Sequence, residues 1–366
     1  FFMIKFIFAV TRFDSSGSIE ITEEDHPKLF AFIRQLTTDT QTPFPKRIFL
    51  SPEVNACVFY DSGFWSMFLP VKKNLQIGLG LVNAINLSEF KAVMAHEFGH
   101  FSQRSMKLGS FVYNVNRVIY NMLYENTSYG RSLEKWASVN DYFSIFASIT
   151  AGIVRGIQYV LRQMYGLINK NYMSLSREME FHADAVAASV RGSENCISAL
   201  RRIGVAGSCY GAVINRYNEL YKEKCITGNV YPDQHTITKK YAEEYKLRLQ
   251  DNLPVVDDAF LKSLTTPRIN YKDQWASHPS LEERTEHLSQ LAVVAERSTE
   301  SPWTLFDNAE EWQKKLTGKL YKDVEISNEI KTLDNAGFEE KLAHYEKARS
   351  LPLAYNGYYD GRLVAK

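Results

Sequence analysis

Five consecutive residues, His96-Glu97-Phe98-Gly99-His100, carry the strongest chemical signal in this chain. On a helix the two histidines stand at i and i+4, so both imidazoles leave one face about a turn apart. At that separation two neutral ring nitrogens can share one zinc ion. Glu97 follows the first histidine directly, which lets its carboxylate reach a water held by that ion and take its proton. Such a metal also polarises a carbonyl, so the pattern points to metal-assisted hydrolysis. The flanks agree: Ala95 is small, and Gly99 leaves room for a close neighbour.

A catalytic zinc takes three protein ligands and keeps one position open. The short-range third ligand of the pattern H-E-x-x-H-x-x-G-x-x-H is missing here, since position 103 is Gln and position 106 is Met. The ligand must come from farther along, and Ser176-Arg177-Glu178-Met179-Glu180-Phe181-His182-Ala183-Asp184 is the obvious supply. Glu180 and Asp184 are again i and i+4. One carboxylate could bind metal while the other accepts a hydrogen bond from a ligand imidazole and fixes its ring. Spacing alone leaves Glu178 and His182 open as ligands, and leaves open an ordinary charged helix face.

Elements must position these groups. A helix opens at His26-Pro27, with Leu29, Phe30, Ile33 and Leu36 at helical spacing, and Pro43 and Pro45 break it. Apolar runs at 47–50, 56–60, 64–69 and 75–79 read as strands of a small sheet. Residues 66–79 are the candidate edge that could pair with an extended peptide. Ser88 offers an N-cap for the helix of the histidines, whose Phe90, Val93, Met94 and Phe98 share a face. Further helical stretches cover 108–124, 134–169, 171–190 and most of 195–250. The second is interrupted by Asp141, Arg155 and Arg162, so it reads as amphipathic, packed in a core or laid on a membrane surface. His278-Pro279 starts a run through 291. Ser301-Pro302 marks a boundary, and 303–349 read as exposed, charged helices. The fold class is α+β, predominantly helical.

Composition narrows the function classes. With 43 Lys plus Arg against 42 Asp plus Glu, the net charge of +1 gives no bulk attraction to nucleic acid. A hydrophobic share of 45% supports a real core. Cys57, Cys196, Cys209 and Cys225 lack C-x-x-C spacing and read as separate thiols. The run FFMIKFIFAV, whose one charge is Lys5 and which Arg12 follows, reads either as a buried strand or as the last turns of a transmembrane helix that starts upstream. The flanking charges favour the helix, placed at 1–12.

Five ordered pieces together resemble the M48 peptidases of the HtpX type, membrane-associated zinc endopeptidases. They are His26-Pro27-x-Leu29 followed by Pro43-x-Pro45; Asn55-Ala56; Leu87 to Gln103 (LSEFKAVMAHEFGHFSQ); Ser176-Arg177-x-x-Glu180-x-x-Ala183-Asp184; and His278-Pro279-Ser280-Leu281-x-x-Arg284. The resemblance covers about 20–290. It implies a gluzincin-type domain over 13–295, with a small mixed sheet beside the zinc-binding helix. It implies one zinc per chain on His96, His100 and Glu180, with Glu97 as general base and acid. Asp184 would support a ligand histidine, Arg284 would order the site, Asn55 would contact the substrate backbone and His278 would stabilise the oxyanion. Polypeptide substrates, a membrane partner reached through an upstream segment and a cytoplasmic catalytic part follow from the same resemblance, with no nucleic acid and no organic cofactor. Many members place two membrane spans between the positions of His100 and Glu180, which the charge-interrupted segment here does not match. Residues 296–366 match nothing recognised and read as a helical region of open role. The competing reading is a catalytically inactive membrane-associated scaffold that keeps the fold, and the intact Glu97 speaks against it.

Overall fold

Apolar runs become central strands where both faces can be covered, and Ile48, Phe49 and Leu50 are buried in succession. The computed structural model describes residues 10–11, 16–59, 62–63, 73–102, 141–264, 279–322, 324 and 330–349. Strands β1 (Ile19–Ile21), β2 (Ile48–Ser51), β3 (Ala56–Phe59) and β4 (Asn74–Gly78) form a mixed sheet in the order β1-β2-β4-β3. The two inner strands run parallel, and β1 and β3 pair antiparallel at the edges. This corrects the expected edge at 66–79. Its described part, β4, is an inner strand with Leu75, Gln76 and Ile77 buried. The half-buried β3 takes the rim instead, because the more fully apolar run gains more by burial on two faces. The strand expected at 64–69, the helix expected at 108–124 and most of the segment at 1–12 lie outside the described residues.

Helix α1 (Pro27–Asp39) starts at its proline and buries Leu29, Phe30, Ile33 and Leu36. The short α2 (Leu79–Val82) leads into α3 (Leu87–Ser102), which carries the paired histidines. Asn86 caps α3 in place of Ser88: its Oδ1 accepts from the Glu89 amide at 2.9 Å, and Glu89 Oε2 accepts from the Asn86 amide at 3.1 Å. Ser88 instead accepts a hydrogen bond from the Ser298 amide at 2.6 Å. Glu89 is fully buried and anchors α3 to α5 (Ser193–Lys222), accepting from Arg202 at 2.7 Å and Ser198 at 2.5 Å.

The two stretches predicted at 134–169 and 171–190 form one continuous helix, α4 (Asp141–Arg191), since no proline separates them. Ile149, Ile153, Val160, Met164 and Leu167 are exposed along it. Among the described residues no helix is long and apolar enough to cross a membrane. Beyond α5 come β5 (Cys225–Thr227), α6 (Val230–Glu244), α7 (Asp258–Leu264) and α8 (Leu281–Leu291). Ser280 caps α8 through a capping box with Glu283. All four cysteines are free thiols.

The residues after 303 are not simply exposed. In α9 (Ala309–Leu320) Trp312 and Leu316 are buried, and β6 (Lys331–Leu333) pairs in parallel with β5. With Phe338 and Leu342 of α10 (Asn335–Arg349), these side chains join the same core as Phe90, Met94 and Phe98 of α3. A charged sequence conceals this because a narrow apolar stripe suffices to dock a helix.

One buried group packed against this docked segment predicts pH-dependent stability. His26 is inaccessible to solvent, its Nδ1 accepts from the Asp307 amide at 3.2 Å, and its ring lies 5.3 Å from Phe306 and 4.9 Å from Trp312. Burial holds its pKa below the ordinary histidine value, against the pull of Asp25 and Asp307. The unfolded chain therefore takes up this proton first, near pH 6.5. The contribution of neutral His26 is complete above that pH and is lost as pH falls from there towards the lower folded value. Thermal unfolding from pH 7.5 to pH 5 should show a shallower decline in His26→Gln than in the parent. Identical slopes would remove His26 as the source.

Candidate functional site

The two helices that bear the candidate ligands meet where α3 has no side chain. A Cβ built on Gly99 would lie 2.9 Å from the Ala183 Cα and 3.2 Å from its Cβ, so only glycine permits this approach. The neighbour for which Gly99 leaves room is thus the helix carrying Glu180 and Asp184. His96 Nε2 and His100 Nε2 stand 3.2 Å apart; Glu180 Oε2 is 3.4 Å from the first and Glu180 Oε1 is 3.7 Å from the second. Three tetrahedral ligands bonded at 2.0–2.1 Å would be about 3.3–3.4 Å apart. The set therefore fits one small cation. Glu178 and His182 are exposed on other faces of α4, which resolves the choice of carboxylate in favour of Glu180.

Asp184 is buried behind His96 and accepts from its Nδ1 at 2.9 Å, which turns Nε2 towards His100 and Glu180. Arg284 of α8 clamps the same carboxylate from the far side, Nε to Oδ2 at 2.8 Å and Nη2 to Oδ1 at 2.5 Å. Its Nη2 also approaches His96 Nδ1 to 3.3 Å, but both atoms are donors there and meet only through the shared carboxylate. Among the protein groups alone, burial opposes a charge on His96, yet the bonds to Asp184 and Glu180 outweigh it and raise the ring to about 9. His100 is lowered to about 4 by burial and by neighbouring His96. Glu180 resists burial and is held at about 2 by the His96 hydrogen bond and nearby positive charge. A positive charge is thus favoured between these three groups, where a divalent cation would replace the proton.

Glu97 points to the sheet side. Burial raises its carboxyl to about 7, the Glu180 charge adds to this, and His96 and a hydrogen bond from the Val58 amide of β3 oppose it. Together with His96, Asp184 and Arg284, Glu97 lines a cavity of about 240 Å³. Asn55 lines the same cavity, exposed at the start of the edge strand. It is placed there by a backbone crossing: the Gly78 amide donates to the Asn55 carbonyl at 2.7 Å, and a Cβ on Gly78 would lie 2.1 Å from the Glu53 carbonyl oxygen.

The structure therefore assembles Asn55, His96, Glu97, His100, Glu180, Asp184 and Arg284 around one place. His278 lies outside the described residues. The α5 wall of the cavity, formed by Cys196, Ala199, Leu200 and Ile203, is absent from the sequence reading. So is the Glu89–Arg202 anchor, for which the Asn86-x-x-Glu89 capping spacing was an available signal.

A histidine pair and a carboxylate grouped beside a small mixed sheet, in a mostly helical chain, define the class as an α+β domain with a candidate metal site. The model of peptidase family M48 matches residues 27–292, and the chain belongs to that family. It is 28% identical over 191 residues to a protease HtpX homolog of a Sulfurihydrogenibium species, covering 51% of this chain and 59% of that protein. It is 30% identical over 144 residues to protease HtpX of Wigglesworthia glossinidia brevipalpis, covering 36% and 46%. Protease HtpX of Vibrio atlanticus is 29% identical over 171 residues, covering 43% and 51%. The chain thus spans about half the length of the curated relatives it matches.

Proposed function

We propose that this chain is a zinc-dependent endopeptidase that hydrolyses polypeptides by Glu97-assisted attack of water. The observation that carries the reading is the convergence of His96 Nε2, His100 Nε2 and the Glu180 carboxylate at tetrahedral-edge separations. These three would hold one zinc per chain. Bound there, zinc lowers the pKa of a water and polarises a carbonyl oxygen. Asp184 holds the His96 tautomer that turns Nε2 inward, and Arg284 fixes Asp184. Glu97 takes a proton from the attacking water and delivers it to the leaving amine. Burial pushes its carboxyl above the ordinary carboxylate range, which makes it a stronger base. The outer edge of β3 has no strand partner among the described residues and would hold an extended peptide by main-chain hydrogen bonds, with Asn55 touching the substrate backbone. His278 is assigned to the oxyanion on the family resemblance.

The same reading gives the chain gluzincin character and damaged or membrane-associated polypeptides as substrates, in membrane-protein quality control. It places the chain at a membrane with its catalytic part in the cytoplasm, a setting supported by the apolar run FFMIKFIFAV, its single charge Lys5 and the following Arg12.

The test is cleavage of casein with and without a chelator. Chelation should stop hydrolysis, and zinc returned at one equivalent per chain should restore it. Undiminished cleavage by protein stripped of metal would remove the metal from the mechanism.

A further inference from the structure

Arg177, Glu180 and Asp184 of α4 stand at i, i+3 and i+7 and so share one face. Two of them serve the candidate cation site. Arg177 reaches across to α8 instead, where its Nη2 donates to Glu283 Oε2 at 2.7 Å. The two side chains are only 25% and 21% exposed, so solvent screens the pair incompletely. Glu283 directly precedes Arg284, whose guanidinium holds Asp184 by two bonds and lies 3.8 Å from Glu180 Oε2. The helices are thus tied at two places of opposite polarity. A carboxylate of α4 takes a cation of α8 at one, and a cation of α4 takes a carboxylate of α8 at the other. Residues 177 and 184 are about 10 Å apart along the axis of α4. One tie leaves a helix free to pivot, and a second at that distance fixes its direction. Glu283 Oε2 also accepts from the Ser280 amide at 3.0 Å, and Ser280 Oγ accepts from the Glu283 amide at 3.2 Å. Arg177 therefore grips the cap of α8, from which the first turn and Arg284 are aimed. Packing farther along holds the helix without this pair: Leu288 is fully buried, and the His287 ring lies 4.9 Å from Phe181 of α4. Loss of the pair frees the first turn rather than the whole helix.

We propose that Arg177, acting through Glu283, is a positioning residue of the site: it sets the first turn of α8 so that Arg284 meets Asp184 with two bonds and Asp184 holds the His96 ring with Nε2 towards the cation site. A two-bond contact tolerates little rotation, which is why the direction of α8 matters. The inference rests on the peptidase reading for its effect on turnover. Its effect on cation binding needs only the grouping of His96, His100 and Glu180.

The test is zinc titration of the metal-free full chain against a competing chelator, in a double-mutant cycle of Arg177 with Arg284. Arg177→Met keeps an aliphatic stem and removes the charge. It should weaken zinc binding by about fivefold, and Arg284→Met by about 20-fold. Together they should weaken it by about 20-fold rather than the roughly 100-fold of independent effects, because Arg177 acts only through Arg284. Arg177→Lys should stay within about twofold of the parent, since the tie to Glu283 is a single hydrogen bond that an ammonium also makes. Glu283→Gln keeps an acceptor for the Ser280 amide and removes the charge, so it should weaken zinc binding by about threefold and serves as the second variant if Arg177→Met does not fold. Melting of the metal-free protein should shift by less than about 3 °C in Arg177→Met, the size expected of a partly exposed ion pair. At saturating zinc, kcat of Arg177→Met on a fluorogenic peptide should fall by about three- to tenfold at unchanged KM. Unchanged zinc affinity in both Arg177→Met and Glu283→Gln overturns the proposal. So do losses that multiply in the double variant, or an Arg177→Lys protein as weak as Arg177→Met. No hydrolysis by the parent, with the zinc cycle as expected, overturns the peptidase reading and leaves the positioning role standing.

Discussion

Glu97→Gln is expected to cut peptide hydrolysis by about 10³-fold or more while the chain keeps its fold and one equivalent of zinc. The amide has the shape of the carboxylate and still offers an oxygen to the Val58 amide, so the contact between α3 and β3 survives. Lost is the group that accepts a proton from water and returns it to the departing amine. None of the three candidate ligands is altered, so metal analysis should match the parent. The decisive measurement pairs initial rates on a fluorogenic peptide with zinc content on the same sample. Parent-like turnover at full zinc occupancy would reassign the general base. A loss of both activity and zinc would show that Glu97 acts on the metal site itself.

The second large effect falls on a residue with no chemistry of its own. Gly99→Val should weaken zinc binding by at least about tenfold and lower stability by about 2–3 kcal/mol, because a side chain at position 99 must push α4 away from α3. The obstacle is backbone, the Ala183 Cα at 2.9 Å, which cannot turn aside as a flexible side chain could. Glu180 and Asp184 flank Ala183 on the same helix, so any shift that relieves the clash carries the third ligand and the His96 support away together. A helical alanine gains about 1 kcal/mol over glycine from propensity, so Gly99→Ala should be milder. Gly207 of α5 is the control: a Cβ there meets nothing within 4 Å, and Gly207→Ala should leave zinc affinity unchanged. Zinc titration of the metal-free protein with a competing chelator reads the first effect, and thermal unfolding the second. Unchanged zinc affinity in Gly99→Val would show that the two helices need no close approach.

Most of the catalytic side of the site was legible because it is local. The i, i+4 histidines and the intervening Glu97 occupy a little over one helical turn, and their relation follows from helix geometry. Spacing alone left Glu178 and His182 open beside Glu180, and it was the family resemblance that pointed to Glu180 before α4 was seen to face α3. Asn86, not Ser88, capped the helix of the histidines because the reciprocal partner, Glu89, was itself drawn inward by Arg202. The inner place of β4 was missed for a related reason. Apolar runs announce strands, but sheet order depends on which pairings bury the most surface, and that is a property of the assembled layer. The segment after 303 was read by its charge, while its docking is decided by a few buried side chains such as Trp312, Leu316 and Phe338.

Sequence alone determined the chemistry available to this protein: two imidazoles on one helix face, a carboxylate beside them and a second acidic pair at the same spacing. Contacts within a helical turn are set by backbone periodicity and need no knowledge of the rest of the chain. Tertiary structure decided which carboxylate closes the cation site, which strand is left free at the edge and what lines the cavity behind Glu97. Those relations join residues far apart in the chain, and only helix packing, with Gly99 seated on Ala183, brings them within bonding distance.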